Sequence, residues 1–323
     1  MSGWWSSACA SVATRWTKAI ASINSAKENS RVRAESTSLQ PSGTPTTTSM
    51  SHGAWALRRS RKRRQGTELL CEWVFRPLAH LVVLVLAPLR VPPPGVVLTA
   101  TATGLVAAFE LAHDHLVLAA ILLQVKTVLD NADGQLARLT GQESVLGRYL
   151  DSESDLLVDA ALLAALGSLT GEHGLALAAF VVLTLVLGIN FNVERLYRRE
   201  HGAISDPMPA ARGIAGVLQR VYGVVYAPQD RLVEGFVERR LARARAGPAS
   251  RLAYHDRWTV AIIANFGLST QLAALGICLA VGRPAAYLWL VLGCGLAVIA
   301  LAGRRELLLR RPMPVVVQGD GKP

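Results

Sequence analysis

Apolar blocks near 96–112, 116–135, 150–170, 174–194, 258–281 and 284–302 dominate this chain. Each approaches the roughly 20 residues that a helix needs to cross a bilayer. Hydrophobic residues make up 51% of the 323, more than a soluble enzyme of this size usually carries. The expected fold is therefore an all-α integral membrane protein, a six-transmembrane-helix bundle. A further stretch, Glu68 to Leu89, is amphipathic and interrupted by Trp73, Arg76 and Pro77. It is expected to lie along the membrane face as an N-terminal interfacial helix, although its second half, LVVLVLAPL, is apolar enough to cross.

Charge orients this plan. The net charge of +11 could suggest nucleic acid, but the basic residues cluster beside the apolar blocks, as they do at a cytoplasmic membrane face. The turns near 113–115, 171–173 and 282–283 hold one arginine, Arg283. The opposite side holds RRSRKRR, twelve arginines in the 195–257 connection and the tail RRELLLRR. Both chain termini are thus expected in the cytoplasm. Residues 1–65 are Ser/Thr-rich and then Arg-rich, with no sustained apolar span, and are expected to be disordered. Nothing there reads as a secretory signal. Met50 opens MSHGAWALRRSRKRRQ, an alternative translation start that the N-terminal mass of the native protein would test. Residues 66–305 form the expected membrane domain, including the Arg-rich 195–257 connection, with 306–323 as a cytoplasmic tail. Within the connection, LVEGFVERRLARARA (232–246) fits an amphipathic surface helix. Cys9, Cys71, Cys278 and Cys294 show no metal-ligand spacing.

Acids interrupt the apolar pattern at one place. LDNADGQLARLTGQESVLGRYLDSESD (129–155) carries Asp130, Asp133, Asp151 and Asp155 beside hydrocarbon. Charged side chains there cost about 2.5–3.5 kcal/mol each on insertion scales, so they mark a functional site. Asp130 and Asp133 are three apart, and Asp151 and Asp155 four apart, which places each pair on one helix face. Like charges so close repel unless a cation lies between them. The group reads as a divalent-metal site made by two adjacent helix ends, near the cytoplasmic headgroup level. Gly134 and Ala137, one turn apart, and Gly147, one turn before Asp151, would let a flat group or a backbone approach closely. Arg138 supplies paired donors for phosphate. Acids for metal, small residues for a base and Arg for phosphate together fit a nucleotide diphosphate.

These residues spell D-x-x-D-G-x-x-A-R, eight residues, then G-x-x-x-D-x-x-x-D. The pattern resembles the signature of the class-I CDP-alcohol phosphatidyltransferase family, filled at every position over a similarity reaching roughly 70–305. The resemblance implies a phosphotransferase for substituted phosphate groups. It would move a phosphatidyl or related phospho-alcohol group from a CDP-linked donor such as CDP-diacylglycerol to an alcohol, releasing CMP, in phospholipid biosynthesis. By position it implies Asp130, Asp133, Asp151 and Asp155 as ligands of Mg²⁺ or Mn²⁺, two ions in all. Asp155 would also be the general base on the acceptor hydroxyl. Gly134, Ala137 and Gly147 would line the cytidine pocket, and Arg138 would contact donor phosphate. It further implies a homodimer and membrane lipid as the other partner, with no nucleic acid. One departure stands in PPPGVVLTATATG (92–104), where Gly95 replaces the Asn of the Pro-Asn-x-x-Thr-like segment that many members carry.

Blander readings accompany the remaining polar residues. Asp159 continues the acid stripe and is read as pairing with a buried polar neighbour. Lys126 could touch phosphate or pair with an acid. Arg195, Arg198 and Arg199 anchor the fourth span or bind a phosphorylated acceptor. His113 and His115 flank Asp114 and read as solvated loop residues. The alternative function is a polytopic membrane ion transporter with a metal-binding acidic site. It would place acids along several spans, and none occurs between Trp258 and Gly303. A catalytically silent scaffold would not need the whole motif.

Overall fold

The computed structural model describes residues 66–202 and 213–310. The expectations for 1–65, including the basic run 58–65 and the start at Met50, lie outside the described residues, as does the tail beyond 310. Among the described residues the chain is helical, with no strand. A π-helical turn, Cys71–Phe75, leads into α1 (Arg76–Leu86). The bundle follows as α2 (Pro93–Ala112), α3 (Leu116–Thr140), α4 (Val145–Thr170) and α5 (His173–Glu200). Next come α6 (Ile214–Arg243), α7 (Pro248–Tyr254), α8 (Arg257–Ala264), α9 (Leu268–Ala280) and α10 (Pro284–Arg310). The last helix runs past residue 305, where the tail was expected to begin.

Local chemistry sets the turns. Prolines open α2 and α10, where a missing N–H costs nothing. α3 ends on Gly141 and α4 on Gly171, both in the left-handed region that a side chain resists. Ser144 caps α4 by accepting the Gly147 N–H at 3.0 Å. The four residues 141–144 thus join α3 to α4, both of which pack on α2, and the acids lie on the turns toward this connection.

One core runs through α2, α3, α4, α5, α9 and α10, with Leu111, Leu123, Leu162, Leu183, Leu275 and Tyr287 buried in it. Lipid tails are as apolar as these side chains, so close packing rather than the hydrophobic effect must hold such a bundle. Gly104 illustrates it: a Cβ there would come within 2.7 Å of Val158 Cγ1, so α2 and α4 approach almost backbone to side chain. α2, α5, the Pro248–Ala280 stretch and α10 are long and apolar enough to cross a membrane. These helices make the protein an integral membrane protein. α3 and α4 do not pass that test, because the acids lie within them.

Two expectations need correction. The fifth block, read as one helix over 258–281, is broken between α8 and α9. Asn265 accepts the Leu69 N–H at 3.0 Å and donates to the Thr67 carbonyl at 3.1 Å. The buried Glu68 carboxylate accepts from Thr270 N–H at 2.8 Å and Thr270 Oγ1 at 2.9 Å, at the start of α9. An acid at a helix N-terminus meets the orphan N–H groups and the favourable end of the dipole. The segment before the π-turn therefore packs against the break, holding the Asn265 side chain and capping the first turn of α9. The second correction concerns the amphipathic helix expected over 232–246. It is the latter part of a 30-residue helix, α6, that tolerates Pro228 inside it. The helix ends at Arg243, and the backbone turns left-handed just beyond it, at Arg245.

Candidate active site

α3 delivers Asp130 and α4 delivers Asp151 and Asp155 to one place. One carboxylate oxygen from each lies within 4.8 Å of the other two. Lys126, one turn before Asp130 and 2% exposed, donates to Asp130 Oδ1 at 3.1 Å and to Asp155 Oδ1 at 2.5 Å. The ammonium bridges the two helices. Three carboxylates against one ammonium leave an excess of two negative charges, which a divalent cation would match. Ligand oxygens around one hard cation lie up to about 4–5 Å apart, so the spacing and the all-oxygen donor set both fit Mg²⁺ or Mn²⁺.

Asp133 is not part of this trio. It is buried beside the site, and its carboxylate accepts its neighbour Gly134's N–H. Asp159 is buried one turn deeper on α4. Arg138 lies along Gly134, its Nη1 3.2 Å from where a Cβ would stand. A larger residue at 134 would therefore displace the guanidinium. Ala137 is half-buried on the last turn of α3, and Gly147 is fixed by the Ser144 cap.

Further groups complete the surroundings, and the sequence reading did not single them out. Asn131 donates to Ser269 Oγ at 3.3 Å and accepts from Cys71 Sγ at 3.1 Å, tying α3 to α9 and to the π-turn. From α6, Tyr226 donates to the Ser152 carbonyl at 3.3 Å, and Tyr222 meets Tyr149 edge-on at 5.6 Å between centroids. Burial, and then the Asp230 carboxylate that its hydroxyl donates to at 3.1 Å, hold the Tyr222 phenol well above its ordinary pKa, so it remains a donor. The signal in the sequence was the pair of tyrosines four apart, Tyr222 and Tyr226.

The remaining expected residues are apart from the trio. Arg195 and Arg199 both bond Glu234 of α6, at 3.3 and 2.5 Å, and Arg198 bonds Glu194 at 2.6 Å. Thr99, near the start of α2, donates to the Gly95 carbonyl at 2.9 Å. His113 and His115 turn to separate partners, the Phe109 carbonyl and Glu110. The open pocket lined by Glu110, Asp114 and His115 adjoins the α2–α3 turn, away from the acids.

A CDP-alcohol phosphatidyltransferase family model matches residues 93–227, from the start of α2 to the middle of α6. Archaetidylinositol phosphate synthase of Pyrococcus horikoshii is 41% identical over 78 residues, which is 24% of this chain and 42% of that protein. The bifunctional IPC transferase and DIPP synthase of Thermococcus kodakarensis is 35% identical over 102 residues, 31% of this chain and 23% of that protein. The chain thus spans less than half the length of either curated relative.

Proposed function

We infer, from the CDP-alcohol phosphatidyltransferase domain that residues 93–227 form, that this protein transfers a phosphatidyl or related phospho-alcohol group. The donor is a CDP-linked lipid such as CDP-diacylglycerol, the acceptor is an alcohol, and CMP is released. The convergence of Asp130, Asp151 and Asp155 on one point, inside the matched segment, carries this reading.

Asp130, Asp133, Asp151 and Asp155 are the residues that would hold Mg²⁺, which when bound neutralises the diphosphate and eases departure of CMP. Asp155 accepts the proton of the acceptor hydroxyl, a role that needs only hydrogen-bond reach. Lys126 orients that carboxylate through its 2.5 Å contact. Arg138 pairs with donor phosphate. Gly134, Ala137 and Gly147 leave room for the cytidine. The names of the two relatives favour a phosphorylated inositol as the acceptor, and the surplus of arginine on the 195–257 connection suits such an anion.

The same reading extends to the membrane plan. α3 and α4 join the four apolar spans to make six, with α1 lying along the cytoplasmic face. The acids face the cytoplasm, by the positive-inside distribution, and two copies associate. CMP release from CDP-diacylglycerol with Mg²⁺, offered a panel of alcohols that includes inositol phosphate, tests the reaction. The expected result is CMP formed together with one new phospholipid. Release of CMP by no donor and acceptor pair in the panel would sink it.

A further inference from the structure

α6 is arranged inside out. In water a surface helix turns its polar face outward. Here the polar side chains Tyr222, Tyr226, Asp230 and Glu234 turn inward, onto α4 and α5. Asp230 accepts from Asn192 at 2.7 Å, and Glu234 accepts from Arg195 and Arg199. The outward face carries a row of apolar side chains with arginines among them. Val217, Val221, Val224, Leu232 and Phe236 recur at helical spacing and are exposed, Val224 by 75% and Leu232 by 67%.

Charge is sorted the same way. Asp230 and Glu234 are engaged within the protein, and Glu238 is bonded by Arg251 of α7 at 3.0 Å. Arg220 and Arg231 are exposed beside the apolar row, and Arg239 and Arg243 are exposed within it near the end of the helix. Among the described residues of α6 the acids are thus committed inward, while every arginine except Arg240, which pairs with Glu306, is left for the outside. The stripe does not make a crossing helix, since eight charged residues stand along the thirty of α6, far more than a span carries. Its inner face also contacts Gly188 and Asn192 of the apolar α5 through Gln229 and Asp230, which sets it at the membrane's edge rather than out in solvent.

We propose that α6 lies in the bilayer surface on the side of the acidic site, with its valine, leucine and phenylalanine stripe in the acyl region and its arginines on anionic lipid phosphates. Two independent features select this occupant. The exposed apolar row calls for hydrocarbon, and the arginines beside and among it call for negative charge, at about 1 kcal/mol per basic residue near an anionic surface. A water-facing role would leave the polar face on the wrong side. The inference rests on the protein being an integral membrane protein, and it stands whether or not the transfer reaction is found.

The test is fluorescence quenching on the full chain. Val224→Cys and Leu232→Cys are each labelled with bimane and reconstituted in phosphatidylcholine–phosphatidylglycerol vesicles. The signal from the parent's own four cysteines is subtracted. Lipids carrying a nitroxide high on the acyl chain are expected to quench both positions, whereas aqueous iodide leaves them bright. Lipid quenching should weaken in vesicles of phosphatidylcholine alone. Quenching by iodide but not by lipid overturns the placement. Protection from both quenchers, together with disulfide cross-linking between unlabelled copies of the Leu232→Cys variant, assigns the stripe to a second copy and also overturns it. Lipid quenching that ignores phosphatidylglycerol removes the role given to the arginines.

Discussion

Two concentrations of charge in this molecule follow opposite rules. Where α5, α6, α7 and α10 meet, opposite charges are matched. Arg251 bonds Glu200 at 2.8 Å and Glu238 at 3.0 Å, Arg304 bonds Asp256 at 2.9 Å, and Arg240 is paired with Glu306. Arg305, buried, stacks 4.4 Å over Tyr254 and donates to its carbonyl. At the meeting of α3 and α4 the charges are mismatched: Asp130, Asp151 and Asp155 converge around one lysine, with Asp133 and Asp159 buried close by. Paired charges hold helices together and need no other explanation. Like charges held together oppose folding, and a chain keeps them where chemistry requires them.

The sharpest test of that contrast is Asp155→Asn. CMP release is expected to fall about 10²–10⁴-fold, the usual worth of a positioned base. The thermal midpoint in detergent should hold or rise, because one repelling charge is gone. Equal release by both proteins would remove the base assignment. Removing bound metal with EDTA should silence the parent as fully, and added Mg²⁺ should restore it.

Lys126→Met probes the same cluster from the other side. Losing the lysine at the centre of the cluster leaves the carboxylates uncompensated, at a cost of about 3–5 kcal/mol. Thermal melts should show that loss, and Mg²⁺ should raise the midpoint of the variant more than that of the parent. A variant as stable as the parent in EDTA would mean that the acids do not repel as argued.

Effects at the matched network should be smaller and confined to stability. Arg251→Ala, which frees Glu200 and Glu238 in a partly exposed setting, is expected to cost about 1–2 kcal/mol. CMP release per folded molecule should stay unchanged. Arg240→Ala should leave the midpoint unmoved within error, since a surface pair contributes little. If either arginine variant lost activity while remaining folded, the division between the two regions would fail.

Much of this was legible before folding. The acids, their spacing and the small residues between them are local facts of two helices, and the motif reads them directly. The helical class followed from block length. What could not be read was anything that depends on a partner far along the chain. Lys126 lies one turn from Asp130, so half its pairing was visible, but its bond to Asp155 crosses 29 positions. Asp133 shares a helix face with Asp130, while the contact its carboxylate makes with the Gly134 N–H is set by the backbone. The break at 265–267 was hidden because the apolar pattern runs through it. Thr67, Glu68 and Leu69, nearly 200 positions away, bond the Asn265 side chain and the first turn of α9 on either side of it. The first half of α6 was missed for a related reason: its inward face is polar and its outward face carries the row of apolar side chains, so a pattern that assumes water outside misreads it.

The wedge at the α8–α9 junction bears on how the polypeptide can be shortened. A Cβ on Gly66 would stand 2.7 Å from that of Ala264, and one on Gly267 would strike the Glu68 carboxylate. This stretch is fitted into the bundle like a key in a lock, not trailed from it. Trimming to the first long helix would open a hole between α8 and α9 and strip the cap from α9, so any working fragment must begin no later than Gly66.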